Sequence, residues 1–475
     1  MDTKQLKQRI LDLAIRGKLV PQDPNDEPAS VLLERIRTEK EQLIAQGKLK
    51  KSKTKSSDKP HYENVPFEIP DSWEWCRLED VCQIFGRIGF RGYTKNDLVE
   101  SNGAITLSPS NISNGKMDYS KCTYISWYKY EESPEIQIFD SDIILVKTGS
   151  SYGKCALVEN LPKKATINPQ FVTLKHIHIE PKLLTYILQS SYARMNYDNF
   201  VLGTAIPTFT QVALSDMLIP IMSINEQQRI ISAIERWFAV IDELEANKEE
   251  LKKYIQQIKA KVLDLAIHGK LVPQDPNDEP AIELLKRINP NFKPCDTSHY
   301  ENLPSGWGVA KLGDVGKWQA GGTPKRGVTE YYGGNIPWLK TGDLNDGFII
   351  DISENITDCG LKNSSAKLNP KDSVLIAMYG ATIGKLGILT YPATTNQACC
   401  ACIKYPTLDK MYLFYFLLSQ RETFISQGGG GAQPNISKEI IVNTFIPLPP
   451  LLEQGRIVEK VDQIFALLDT IIAEL

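Results

Sequence analysis

The chain lacks a membrane signature. None of its 475 residues fall in an apolar run of about 18, and its first ten, MDTKQLKQRI, carry charges where a secretory leader needs apolar residues. The expectation is an intracellular, cytoplasmic protein. Disulfide-like cysteine spacing is also missing, since the nine cysteines yield one C-x-x-C, Cys399 to Cys402, inside an apolar run that reads as a strand. With no second pair to complete a zinc shell, buried thiols are expected there. Histidine is scarce: the five, at 61, 176, 178, 268 and 299, form no H-E-x-x-H or similar ligand set. Net charge is nearly absent at -3, which argues against holding nucleic acid by bulk positive charge and leaves only local patches. One such patch, KLKKSKTKSSDKP (48–60), reads as a linker of low apolar content.

Repetition is what the sequence has. LAIRGKLVPQDPNDEPA (13–29) returns at 265–281 with Arg16 replaced by His268, and over 10–36 against 262–288 only positions 10, 16, 30, 31 and 34 differ. The duplication extends further. His61-Tyr62-Glu63-Asn64 recurs as His299-Tyr300-Glu301-Asn302, each followed by a tryptophan (Trp73, Trp307) and Leu-x-Asp-Val. IILVKTGSSYGK (143–154) answers VLIAMYGATIGK (374–385), ATINPQ (165–170) loosely answers ATTNQA (393–398), and NEQQRI answers LEQGRI. The chain therefore reads as two divergent globular copies framed by two nearly identical connectors.

Helices flank the connectors. From Ile230, apolar residues follow a four-three spacing through Ile234, Trp237, Ile241, Leu244, Leu251, Ile255, Ile258, Val262 and Leu265, with Lys248 in the one gap. Ile457, Val461, Ile464, Leu468, Ile471 and Leu475 repeat the first part of that seam, and Leu6, Ile10 and Leu13 repeat the last part. The chain ends thus rebuild the central pattern in circularly permuted, pseudo-twofold form. Pro21, Pro24 and Pro28 force the chain off the seam, and Gly17 and Gly269 suit the residue just beyond a helix end. Asp26 or Glu27 is placed to favour the following short helix through its dipole. The near identity of the connectors suggests that both face the same surface, although an ancestral duplication is the plain alternative.

Each copy is rich in Thr, Ile, Val, Tyr and Phe, is broken by Gly, Pro, Asn and Asp, and ends in short helical stretches, which gives an α+β class. Its polar chemistry lies in loops. FGRIGFRGYTKND (85–97) gathers Arg87, Arg91 and Lys95, and AGGTPKRG (320–327) supplies Lys325 and Arg326, cations able to bind phosphate or fork onto guanine. TGSSYGK and YGATIGK add Lys154 and Lys385, with Lys147, Thr148, Tyr379 and Thr382 in or beside the same loops. They resemble a phosphate loop only superficially, because three residues separate the glycines and Cys155 or Leu386 stands where Ser or Thr must hold magnesium. In GGGGAQPNISK (428–438), Gln433 and Asn435 can pair with adenine edges; the alternative is a turn without base contact. NPQF (168–171) lacks the second proline of the adenine-methyltransferase motif, and no Gly-rich cofactor loop precedes it. No catalytic, metal or cofactor residues are assigned.

Together, the duplicated GKLVPQDPNDEPA, GGTPKRGVTEYYGGNIPWLKTGDL (321–344), YGATIGK with ATTNQACC, GGGGAQPNISKEI and IPLPPLLEQ make the chain resemble the DNA specificity (S) subunits of type I restriction-modification systems over nearly its whole length. The first copy departs more, with FGRIGFRG and GTAIPTFT (203–210) in place of the corresponding loops. The resemblance implies two α+β target recognition domains separated by two long antiparallel helices in a coiled coil, each domain reading half of a split, asymmetric DNA site. It divides the chain into 1–59 (N-terminal helix, connector and basic linker), 60–224 (first recognition domain), 225–295 (central helix and second connector), 296–451 (second recognition domain) and 452–475 (C-terminal helix). It implies a non-catalytic subunit and, as partners, double-stranded DNA, two methyltransferase (M) subunits with S-adenosylmethionine, and two motor-nuclease (R) subunits using ATP and Mg. The nominated DNA-binding residues are then Arg87, Arg91, Lys95, Lys147, Thr148, Lys154, Lys325, Arg326, Tyr379, Thr382, Lys385, Gln433 and Asn435. A coiled-coil adaptor that binds proteins through its globular copies is the competing class, and a self-sufficient enzyme is a third.

Overall fold

The computed structural model describes residues 2–47, 65–87, 92–202, 206–293, 295, 300, 302–428 and 435–475. The basic linker 48–60, Arg91 and Gln433 lie outside the described residues. The chain divides into two compact units, Met1–Asn247 and Lys248–Leu475, and the division falls inside one continuous 44-residue helix, Ile224–Ile267. At about 1.5 Å per residue that helix is about 66 Å long. Among the described residues no helix is long and apolar enough to cross a membrane.

Each half of the central helix pairs with a terminal helix. In the second unit Leu451–Glu474 runs antiparallel to it, since Lys248 Nζ donates to the Leu475 carbonyl while Lys259 reaches back to Asp469 at 2.5 Å. In the first unit Thr3–Ile15 takes that role, and Lys7 pairs with Asp242, the repeat equivalents of Lys259 and Asp469. The apolar seam closes at Ile230, Ile234, Ile241, Ile255 and Val262. It does not close at Trp237, Leu251 and Ile258, which stay 39–45% exposed and correct the four-three reading. Near its ends the helix packs on the globular part as well, so Ala233, Leu263, Ala266 and Ile267 join the buried face instead.

The two connectors are built alike. Gly17 and Gly269 both have φ +66°, and in each the two residues past the helix cap donate to carbonyls of the last turn (Gly17 to Ala14, Lys18 to Leu13; Gly269 to Ala266, Lys270 to Leu265). A buried glutamate of the seam helix then binds the connector: Glu226 accepts from Trp73 Nε1 (2.9 Å) and Gln22 Nε2 (2.6 Å), and Glu453 accepts from Trp307 Nε1 and Gln274 Nε2 (both 3.1 Å). Asp26 does not serve its following helix, Ala29–Ala45, whose first turn holds no acid; its shielded carboxylate pairs with Arg229 (2.6 Å), as Asp278 pairs with Arg456 (2.6 Å). Glu27 and Glu279 likewise turn to Arg35 and Arg287. The identity of the connectors therefore has a reason inside each unit, because the same side chains make the same bonds twice.

Both globular copies are mixed. The first has a four-stranded sheet in the order Cys155–Leu157, Ile143–Val146, Phe171–Lys175, Gln83–Gly86, and a five-stranded sheet in which Ala165–Ile167 lies parallel to Ala104–Leu107. The second has a five-stranded sheet containing Cys399–Lys404, Val374–Ala377 and Leu386–Leu389 side by side, and a smaller sheet in which Thr394–Thr395 runs parallel to the end of Tyr332–Leu339. The runs IILV and VLIA are wholly buried central strands, as uninterrupted apolar segments should be. A short pair, Glu74–Arg77 with Leu218–Ile221 and Gly308–Lys311 with Phe445–Leu448, closes each copy beside its seam helix. Cys399, Cys400 and Cys402 are buried in the strand, and burial pushes the thiols of Cys400 and Cys402 up to about 12. Among the described residues no cluster of His, Cys, Asp or Glu could hold a metal ion.

Candidate nucleic-acid interface

Three loops meet at one end of the sheets in each copy, and the same backbone bonds join them. In the first copy, Lys147 N–H donates to the Gln170 carbonyl (2.8 Å), Lys147 O accepts from Phe209 N–H (3.2 Å), and Thr148 forms an isolated bridge with Thr208. In the second, Met378 N–H donates to the Ala398 carbonyl (2.7 Å), Met378 O accepts from Ile436 N–H (2.9 Å), and Tyr379 bridges Asn435. These are equivalent positions in the repeat. The loops after IILV and VLIA are thus brought against the 207–209 and 435–436 segments.

The middle turn hangs on an asparagine. Asn168 N–H donates to Leu107 O (3.0 Å) while its Oδ1 accepts from Gln170 N–H (2.9 Å); Asn396 N–H donates to Leu339 O (2.9 Å) while its Oδ1 accepts from Ala398 N–H (3.2 Å). Such a side chain closes its own turn two residues on. The NPQF stretch is therefore a scaffold turn. The shared Asn in ATINPQ and ATTNQA was the available signal for it.

The glycines of TGSSYGK and YGATIGK serve backbone shape. Gly149, Gly153, Gly380 and Gly384 all have positive φ, and the amides of Gly153, Lys154, Gly384 and Lys385 donate to carbonyls of the same loop or its strand. Those donors are already used, so they do not form a cradle for phosphate. Gly321 and Gly322 answer to packing as well: a Cβ on Gly321 would fall 2.1 Å from Asn396 O, and one on Gly322 2.3 Å from Ala366 N. They let loop approach loop rather than ligand.

The nominated side chains divide by placement. Arg87 is buried; its guanidinium donates to Ile167 O (3.2 Å) and Thr166 Oγ1 (3.1 Å), lies over the Tyr93 ring, and is pushed below its usual pKa by burial. It braces the strand Ala165–Ile167 instead of facing solvent. Lys95 is exposed on the turn Lys95–Asp97, where no hydrogen bond among the described residues links it to the three loops. Lys147 is half-buried and its amine is pulled down by desolvation, whereas Lys154 is exposed beside it. Thr148 shares a hydrogen bond with Thr208 (2.8 Å). In the second copy Tyr379 and Asn435 are exposed and Lys385 is half-buried, with the Thr382 hydroxyl donating to Tyr379 O (2.9 Å).

A fourth loop, 321–327, joins this cluster. Gly322 N–H donates to Thr395 O (2.9 Å), Trp338 Nε1 donates to Gly322 O (3.0 Å), Tyr332 OH donates to Pro324 O (2.5 Å), and the Thr323 hydroxyl donates to Gln397 Oε1. Arg326 folds back over the rings of Tyr332 and Trp338 (4.9 and 4.8 Å) and pairs with Glu354 (3.1 Å). Lys340 binds the same carboxylate, and together these cations hold Glu354 below the usual carboxylate range. Lys325 points out exposed. What the described residues of each copy present is a rim of hydroxyls, carboxamides and a few lysines, chemistry suited to base edges and phosphates.

A family model described as the Type I restriction modification DNA specificity domain matches residues 70–253 and 304–475, one match for each copy. The chain belongs to this family. Among its relatives are the specificity subunits of the type I restriction enzymes EcoAI (28% identical, covering 97% of this chain and 88% of the relative) and EcoEI (25%, covering 98% and 89%), both from Escherichia coli. A solved structure described as "Structural basis underlying complex assembly and conformational transition of the type I R-M system" covers 86% of this chain and 94% of its own at a TM-score of 0.56 and 22% identity, a likeness of fold. Both loop clusters lie inside the matched specificity domains.

Proposed function

We propose that this chain is the sequence-reading specificity subunit of a type I restriction-modification complex, binding a bipartite, asymmetric site in double-stranded DNA with one copy per half-site. One observation carries this reading: the two loop clusters share a backbone plan bond for bond yet expose different side chains. Thr148, Lys154 and Gln170 stand on one, and Tyr379, Lys385, Gln397 and Asn435 on the other. A common scaffold with exchanged readers is what two unlike half-sites require. The chain itself is taken as non-catalytic. Adenine methylation falls to two methyltransferase subunits carrying S-adenosylmethionine, and ATP- and Mg-dependent cleavage to two motor-nuclease subunits, all acting on DNA in the cytoplasm. If those partners hold much of the phosphate backbone, the modest charge of this chain follows.

The test is to express the chain with its methyltransferase partner and map methylated adenines by sequencing. A split, asymmetric motif that disappears without the chain is the expected result. Replacing Gln433 and Asn435 with Ala should relax one half-site by about 1 to 3 kcal/mol per lost bidentate pair and leave the other intact. Methylation independent of the chain, or a DNA retention indifferent to sequence and salt, would instead favour an adaptor.

A further inference from the structure

We infer that Gln170 and Gln397 contact bases directly, one in each copy, at a position where the fold presents a pre-oriented carboxamide. The inference rests on the DNA-reading role proposed above and names side chains within it. Both residues sit in the asparagine turn at the centre of their loop cluster, one place apart in the repeat: Gln170 matches Ala398, and Gln397 matches Pro169. The backbone plan is shared, but the reading group has moved by one residue.

In both, the carbonyl oxygen is held by a neighbour. Asn168 Nδ2 donates to Gln170 Oε1 (3.1 Å), and the Thr323 hydroxyl donates to Gln397 Oε1. Among the described residues the amide nitrogen of each has no hydrogen-bond partner. For Gln170 that nitrogen lies against Gly149, where a Cβ would approach to 3.2 Å, so the glycine keeps room for it. Gln397 is exposed.

A carboxamide oriented by one bond to its oxygen loses less side-chain freedom on binding. Its NH2 can donate to an acceptor in the major groove, and the oxygen keeps a second lone pair. Those two arms match N7 and N6 of adenine. We therefore assign one adenine-compatible position in each half-site to these glutamines.

The experiment uses the full chain assembled with its methyltransferase partner, acting on a duplex library randomised across the site, with methylated molecules sequenced. A wild-type assembly that yields no bipartite motif would refute the DNA-reading role itself, whatever these residues do. Given a motif, Gln397→Ala should lower base preference at one position of one half-site by roughly ten- to a hundredfold, the usual size of a mismatch effect, with the other half-site unchanged. Gln170→Ala should do the same in the opposite half. The isosteric Gln397→Glu and Gln170→Glu variants guard against misfolding and exchange the donor for an acceptor, so they should disfavour the wild-type base. Thr323→Val should soften the Gln397 position by a smaller factor. An unchanged motif in a folded Gln→Glu variant would overturn the inference. So would a loss of binding in Gln397→Ala or Gln170→Ala that is equal across all sequences, which marks a contact to the DNA backbone and not to a base.

Discussion

Lys175→Met is the sharpest test of how the loop platform of the first copy is held. The strand pair Ile143–Val146 and Phe171–Lys175 is in register from Val146 opposite Phe171 to Ile143 opposite Leu174, so one step further brings Asp142 opposite Lys175. There the ammonium binds the Asp142 carboxylate and donates to Gln137 O (2.7 Å), with both side chains almost wholly buried. The other end of the same two strands runs directly into Lys147 and Gln170. The ion pair is thus the far anchor of the platform.

Removing one partner strands the other as an uncompensated buried charge, for which about 3 to 5 kcal/mol is usual. Asp142 would keep the Phe139 amide, which donates to it at 2.9 Å, so the lower end, about 3 kcal/mol, applies. For a unit of 247 residues that is a fall of roughly 6 to 12 °C in its unfolding temperature. Because the two units need not unfold together, the assay is calorimetry of the full chain with hydrogen exchange followed on the strands Ile143–Val146 and Phe171–Lys175. Asp142→Asn in the Lys175→Met background should recover most of the loss, since it removes the orphaned charge and keeps an acceptor for Phe139. A single variant that costs under about 1 kcal/mol, or a double variant no better than the single, would refute the argument that the pair is buried and coupled.

Three further outcomes follow from particular contacts. Arg229→Ala and Arg456→Ala should each destabilise their own connector by about 1.5 to 3 kcal/mol, the range for a hydrogen bond to a charged group, and hydrogen exchange should show equal losses in 17–29 and 269–281. Burial raises the carboxyl pKa of Glu226 and Glu453 above the usual 4.5, so the stability each contributes is present in acid and lost as pH climbs through its raised folded value. Glu226→Gln with Glu453→Gln should therefore flatten the slope of urea midpoint against pH on the acid side, and an unaltered slope would count against that burial. Gly153→Ala should cost more than Gly380→Ala in thermal unfolding: both glycines have positive φ, worth about 1 to 2 kcal/mol, but only at Gly153 would the Cβ meet a buried ring, 2.7 Å from Tyr197 Cδ2.

What could be read from the letters was whatever the chain says twice. Gly17 with Gly269, Trp73 with Trp307 and Glu226 with Glu453 occupy matching places because a duplicated motif carries its local geometry with it, and the helix pairing follows from a seam that recurs at both chain ends. What could not be read is decided across long sequence separations. Arg87 looks like a loop cation until the strand 165–167, some 80 residues later, closes over it. Gly321 and Gly322 look like ligand glycines until the turn at 395–396 and the segment 365–366 arrive within 2.4 Å of where their respective side chains would be. Trp237, Leu251 and Ile258 fit the heptad yet stay exposed, because burial along a seam depends on what lies opposite each turn and not on spacing alone. The same limit applies to Asn168, whose NPQF setting resembles an incomplete catalytic motif in the sequence. Its worth lies in a carbonyl at Leu107 and an amide at Gln170, and only the folded sheet brings the first of these to it.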